Sequence, residues 1–191
     1  MKATEIEFKY RADSIKLSDF VKFCEGRDPG PTKVVEAAGF DHFYSNTKDA
    51  DAFCRHRIGP DFNQLTFKRK TTGANNYVRT EHNVDLKHNM SKDKIEALCG
   101  EFGFKYNVSI FKTCFVYFYD WCVLSYYVCY DKDLRELGRF MEIEANEDHD
   151  WKTEQEAWDA VVVMERLCKP LGLTTQARVK KSLFELYRQT T

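Results

Sequence analysis

Apolar and polar residues alternate along much of the chain, which is the period of a β-strand with two unlike faces. In Glu5-Ile6-Glu7-Phe8-Lys9-Tyr10, the charged Glu5, Glu7 and Lys9 share one surface, and Ile6, Phe8 and Tyr10 share the other. The same alternation, with β-propensity, predicts strands near residues 3–11, 34–45, 52–59, 63–71, 76–86, 104–118, 122–131 and 138–146. Eight strands are enough to close a barrel and remove its exposed edges.

Helical spacing appears between and after these strands. Ser14 is placed to cap a helix presenting Leu17, Phe20, Val21 and Cys24, and Ser91 one presenting Ile95, Leu98, Cys99 and Phe102. Thr153 and Glu156 have capping-box spacing, and the helix they open should stop before Pro170 and Gly172. A last helix carrying Val179, Leu183, Leu186 and Tyr187 closes the chain. The fold class expected is mainly β with packing helices, α+β, in a single domain over residues 1–191 with no internal repeat.

The polar faces then gain meaning by comparison. Arg55 and Arg57 share a face, as do Lys68 and Lys70, Arg79 and Glu81, and Glu142 and Glu144; Lys112 interrupts the apolar run Ile110–Phe115. Period-2 charge is also how an antiparallel sheet with one wet face reads. Recurrence on several strands, and charges in strongly apolar surroundings, favour a different arrangement: a closed antiparallel barrel covered by helices, its charged faces turned inward to line a polar tunnel. Like charges gathered in such a space need partners. A polyanion satisfies Lys9, Arg55, Arg57, Lys68, Lys70, Arg79 and Lys112, through arginine forks and lysine point charges. A hard divalent cation such as Mg²⁺ satisfies the carboxylates of Glu5, Glu7, Glu142 and Glu144.

Composition narrows the classes. With 191 residues, 43% hydrophobic and 15% aromatic, the chain can bury a sizeable core. Its 29 Lys and Arg nearly balance 30 Asp and Glu, which argues against a nucleic-acid or anionic-membrane binder driven by bulk charge. No signal-peptide pattern or membrane-length apolar run is present, so a cytoplasmic protein is expected. The seven cysteines form no C-x-x-C pair and read as reduced thiols, with Cys54, Cys99 and Cys168 as small core residues. The five histidines lack zinc-site spacing. Tyr117, Phe118, Tyr119 and Trp121 read as hairpin packing or a homodimer surface rather than a base-stacking platform.

Glu5-x-Glu7-x-Lys9 resembles the E-x-E-x-K signature of the CYTH superfamily, the triphosphate tunnel metalloenzymes, which include class IV adenylyl cyclases, thiamine triphosphatases and inorganic triphosphatases. The order of further segments strengthens the likeness. Arg55-His56-Arg57 resembles the family's R-x-R strand, Leu65-Thr66-Phe67-Lys68 its L-T-x-K strand and Arg79-Thr80-Glu81 its R-x-E strand. Leu137-Gly138-Arg139-Phe140-Met141-Glu142-Ile143-Glu144 resembles its L-G-x-F-x-E-I-E segment, and Ser182-Leu183-Phe184 its closing S-Y motif.

The resemblance implies an eight-stranded antiparallel tunnel that binds ATP or another triphosphate with Mg²⁺ or Mn²⁺. Glu5, Glu7, Glu142 and Glu144 match the metal positions, and Lys9, Arg55, Arg57, Lys68, Arg79 and Lys112 the phosphate positions. The four glutamates together with Lys9 make up the implied catalytic set. Three positions depart from the pattern: Cys114 stands where the family's K-x-R arginine follows Lys112, Asn83 where an acidic residue often follows R-x-E, and either Asp131 or Asp133 matches an aspartate before the L-G-x-F segment. Cyclisation of ATP to cyclic AMP and pyrophosphate is the leading chemistry, from the likeness of the L-G-x-F-x-E-I-E segment. Triphosphate hydrolysis is the alternative, and a non-catalytic nucleotide or polyphosphate binding module a second.

Overall fold

The computed structural model describes residues 4–70, 78–87 and 90–188, without the side chains of Thr4, Lys70 and Val78. Eight strands close into an antiparallel barrel: β1 (Thr4–Arg11), β2 (Lys33–Asn46), β3 (Ala52–Ile58), β4 (Asn63–Lys70), β5 (Val78–Asp85), β6 (Phe104–Phe118), β7 (Cys122–Tyr130) and β8 (Glu136–Ala145). Around the barrel they run β1-β5-β4-β3-β2-β6-β7-β8, and β8 returns to β1. The eight expected strands are all present; residues 3, 71, 76 and 77 of those expectations fall outside the described residues.

Most of the apolar core lies outside the barrel wall, on the outward faces of β1, β7 and β8 and of β2 to β4. Ile6, Phe8 and Tyr10 of β1 join Leu124, Tyr126, Met141 and Ile143 beneath α1 (Leu17–Glu25) and α3 (Glu154–Leu167), which contribute Phe20, Cys24, Ala157, Val161 and Met164. On the opposite side α2 (Lys92–Glu101) lays Ile95 and Cys99 against Tyr44, Cys54 and Leu65. Full burial of each large side chain contributes roughly 1.5–3 kcal/mol, so the helices are what let the strands turn their charges inward.

One end of the tunnel is closed. The short α4 (Leu183–Tyr187) sets Leu183 and Phe184 against Phe43, Phe53, Ile110, Tyr127, Cys129 and Phe140. Phe184 stacks on Phe53 and Phe43 at ring separations of 5.1 and 5.9 Å. Gly138, at φ +151°, makes room for this closure: a Cβ there would collide with the Arg11 guanidinium, which reaches over to the Tyr187 hydroxyl.

Several helix ends differ from the sequence reading. Ser14 is not the cap of α1; it lies in a turn closed by Ile15 N–H to Ala12 O, and the cap position is Lys16, without a side-chain bond. Ser91 does cap α2, accepting from Lys94 N. At α3 Thr153 accepts from Glu156 N, but the Glu156 carboxylate accepts from Lys152 N, so the box is half formed. A complete box stands instead at Ser182 and Glu185, and the last helix begins after it, leaving Val179 outside. The end of α3 ahead of Pro170 is as expected.

All seven cysteines are free thiols, and Cys54, Cys99 and Cys168 are fully buried core residues. Tyr117 and Tyr119 are buried at the β6–β7 hairpin, where the Tyr119 hydroxyl donates to Cys24 O. Among the described residues no helix is long and apolar enough to cross a membrane.

Candidate functional site

Barrel closure brings together residues more than a hundred positions apart. β1 pairs with β8 so that Glu7 faces Glu144 and Lys9 faces Glu142, and with β5 so that Glu5 faces Arg79; β4 and β5 place Lys68 opposite Glu81. The result is an acidic wall threaded by two ammonium groups. Lys9 Nζ lies 2.7 Å from Glu7 Oε1 and 2.8 Å from Glu142 Oε1. Lys68 Nζ donates to both oxygens of Glu5 at 2.7 and 2.8 Å, and pairs with Glu81 Oε2 at 2.5 Å without hydrogen-bond geometry.

Basic groups occupy the facing wall. Arg57 holds Asp41 side-on, Nε to Oδ1 at 2.8 Å and Nη2 to Oδ2 at 3.1 Å, and Lys112 Nζ lies 3.7 Å from Asp41 Oδ2. Arg55 donates to Thr66 Oγ1 and lies 3.7 Å from Glu81, while its buried Nε has no hydrogen-bond partner among the described residues. Arg79 is 8% exposed, and among the described residues no carboxylate lies within ion-pair distance of it. Every matched residue thus points into the same enclosed space, and the side chain of Lys70 lies outside the described part.

The fields within the site are strong because water is largely excluded. Burial opposes the charged form of Lys9, yet Glu142 and Glu7 lift its ammonium above the usual lysine range. Burial likewise opposes ionised Glu81 and Asp41, but Lys68 and Arg55 hold Glu81 at about 2, and Arg57 and Lys112 hold Asp41 well below the carboxylate range. Glu144 behaves oppositely: burial, reinforced by Glu5 and Glu7, pushes its carboxyl well above that range.

The donor set fits a hard cation in chemistry. Glu5, Glu7, Glu142 and Glu144 offer only carboxylate oxygens, and the crowding that raises Glu144 is what a divalent charge would relieve. Among the described residues no three His, Cys, Asp or Glu side chains are arranged as a ready metal cage; Lys9 and Lys68 stand between the carboxylates instead.

Three residues of the site, Glu81, Asp41 and Tyr127, are given no role by the sequence. Glu81 was visible as the acid of Arg79-Thr80-Glu81, on the right face, but its pairing with Lys68 and Arg55 depends on register. Asp41 is a single acid between Phe40 and His42, with no same-face partner on its own strand to mark it. Tyr127, whose hydroxyl donates to Glu142 Oε1 at 2.5 Å while Lys112 Nζ sits 4.0 Å above its ring, reads in sequence as ordinary core. Conversely, neither aspartate ahead of β8 joins the site. Asp131 instead caps an exposed turn by accepting from Asp133 N and Arg135 N. Asn83 accepts from Thr66 Oγ1 at 2.7 Å and thereby replaces an acid with a neutral contact.

No family model matches the chain, and no curated protein matches it. Solved structures do share its fold. A conserved hypothetical protein from Pyrococcus furiosus superposes with a TM-score of 0.69 at 22% identity, covering 96% of this chain and 99% of its own. A Pyrococcus horikoshii protein gives 0.70 at 19% identity over 95% and 98%. A Vibrio parahaemolyticus protein provisionally described as an adenylate cyclase gives 0.66 at 13% identity over 97% and 98%. The fold is therefore the CYTH-like tunnel barrel that the motifs implied, and identities this low speak to the fold alone.

Proposed function

We propose that this protein is a metal-dependent enzyme acting on a triphosphate held inside the barrel, with cyclisation of ATP to cyclic AMP and pyrophosphate as its leading reaction. The observation that carries this reading is the charge gathered inside the tunnel: carboxylates crowd along β1 and β8, Arg57 and Lys112 line β3 and β6 across from them, and the guanidinium of Arg79, beside Glu5, is buried with no ion pair among the described residues. Buried guanidinium without a fixed carboxylate is costly unless an anion fills the space. A triphosphate along Lys9, Arg55, Arg57, Lys68, Arg79 and Lys112 supplies that anion.

Glu5, Glu7, Glu142 and Glu144 would hold Mg²⁺ or Mn²⁺. When bound there, the cation neutralises charge developing on phosphate oxygens. The remaining work belongs to the chain. Lys9 and Lys68 keep the acidic wall compact and supply point charges, arginine forks fix the phosphates in line, and the apolar closure at α4 excludes water from one end. Catalysis on this account is positioning and electrostatics. The provisional description of the Vibrio parahaemolyticus protein supports the cyclase over hydrolysis of the terminal phosphate.

The test is incubation with ATP, tripolyphosphate and thiamine triphosphate, each with Mg²⁺ or Mn²⁺, followed by chromatography. Cyclic AMP with pyrophosphate is the expected outcome. Orthophosphate would replace the cyclase with a triphosphate hydrolase, and tightly bound but unchanged ligand would reduce the protein to a binding module. Failure to bind any of the three would remove the triphosphate reading.

A further inference from the structure

Asp41 is sunk into the tunnel wall between two cations that the reading above gives to the phosphates. Its side chain is 2% exposed against 31% for Arg57, so the carboxylate is the anchored member of the pair and the guanidinium projects toward the lumen. The side-on contact engages the Nε edge of Arg57 and leaves Nη1 without a partner among the described residues. Lys112 is fixed from two directions, by Asp41 Oδ2 at 3.7 Å and by the Tyr127 ring at 4.0 Å. A lone carboxylate in a polyanion site repels the ligand. Here two cations face one acid, and the group keeps a net positive charge.

We propose that Asp41 is a positioning residue for the triphosphate: it locks Arg57 and Lys112 into a pair that presents one guanidinium fork and one ammonium to a single phosphate group. The assignment rests on the triphosphate reading. A planar fork binds a phosphate well only when its plane is held, and a free arginine surrenders that orientation to its rotamers. Register makes the arrangement specific. Asp41 is the direct cross-strand neighbour of Arg57 on β3 and of Ile110 on β6, two residues from Lys112, so one side chain reaches both cations from the strand between them. Cys114, next on the same face of β6, offers no third cation, and the orientation of the remaining two therefore matters more.

The experiment titrates tripolyphosphate with Mg²⁺ calorimetrically into wild type, Asp41→Asn, Arg57→Ala and the double variant, with circular dichroism as the check on folding. Asp41→Asn should bind about tenfold more weakly. Most of that loss should vanish in the Arg57→Ala background, a non-additivity that general loosening of the barrel would not produce. Affinity equal to or tighter than wild type would identify Asp41 as a competitor of phosphate rather than a support, and a loss undiminished by Arg57→Ala would show that it acts elsewhere; either overturns the proposal. Should Asp41→Asn not fold, Arg57→Lys keeps the charge and loses the side-on fork: it too should weaken binding about tenfold, and unchanged affinity counts against the role. A wild type that binds no tripolyphosphate removes the triphosphate reading and this role with it, whereas a wild type that binds beside an unaffected Asp41→Asn removes the role alone.

Discussion

Replacing Glu144 by glutamine separates what the acidic wall does for function from what it does for stability. Lys9 pairs with Glu7 and Glu142 and Lys68 with Glu5 and Glu81, while Glu144 belongs to none of these ion pairs, so its replacement leaves each of them intact. Glu144→Gln should abolish metal-dependent turnover while raising thermal stability by about 1–2 kcal/mol at neutral pH, because glutamine removes the cost of bringing an ionisable carboxyl into the buried space beside Glu5 and Glu7. A variant that turns over normally would sink the proposed metal role. A second residue-scale expectation concerns acid. His42 lies on the outer face, its Nδ1 2.5 Å from Ser109 Oγ, with His56, Lys92 and Asp41 contributing to its field. Burial, aided by Lys92, lowers it from 6.5 to about 4. The unfolded chain therefore binds more protons between those values. The stabilisation from a neutral His42 is complete above pH 6.5 and is lost as pH falls toward 4, at most about 3 kcal/mol at ~1.4 kcal/mol per unit. His42→Gln should flatten that part of the stability profile in urea titrations, and an identical profile would assign the acid sensitivity elsewhere. The glutamates were legible in the sequence because they recur two apart; His42 was not, since its shift comes from burial that no local pattern records.

At the scale of elements, α4 has five residues, too few to stand alone, and depends on its cap and its packing. Ser182 accepts from Glu185 N at 3.2 Å while Glu185 accepts from Ser182 N at 2.8 Å, and Phe184 fills the barrel end against Phe43 and Phe53. Ser182→Ala should cost about 1 kcal/mol and Phe184→Ala roughly 3–5 kcal/mol in denaturant unfolding. Equal costs would mean that the aromatic closure contributes no packing. Strand identity was readable because a two-faced strand repeats its alternation for many residues. Caps were readable only where the serine or threonine stood directly before the helix, as at Ser91 and Thr153. Ser14 misled because an intervening turn at Ala12–Ile15 delays α1, and the hydrogen bond that makes that turn leaves no mark in the side-chain pattern.

For the whole molecule, closure of the barrel and assembly of the site are one event, because β1 carries Glu5, Glu7 and Lys9 and is the strand that joins β5 to β8. Eight strands imply closure, but their order does not follow from alternation: β1 sits between the fifth and eighth strands, and only that order sets Lys9 beside Glu142 and Glu5 beside Arg79. The seams differ in length. Among the described residues β1 and β5 share three register pairs, Thr4 with Thr80, Glu5 with Arg79 and Ile6 with Val78, whereas β2 and β6 share fourteen. Local opening follows the shortest seam, where the fewest hydrogen bonds and packed side chains must be given up. Amide protons along β1 and β5 should accordingly exchange faster than those of β2 and β6 in the free protein. Glu5, Lys68, Glu81 and Arg79 straddle this seam, so a ligand that engages them adds a link where the backbone supplies least. Tripolyphosphate with Mg²⁺ at a hundredfold its dissociation constant stabilises the closed form by about 2.7 kcal/mol, which at the β1–β5 seam corresponds to a roughly hundredfold slowing of exchange wherever opening abolishes binding. Hydrogen exchange followed by mass spectrometry, with and without the ligand, reads both quantities. Slowing confined to β2 and β6, with β1 and β5 unchanged, would mean that the ligand does not bridge the closing strand.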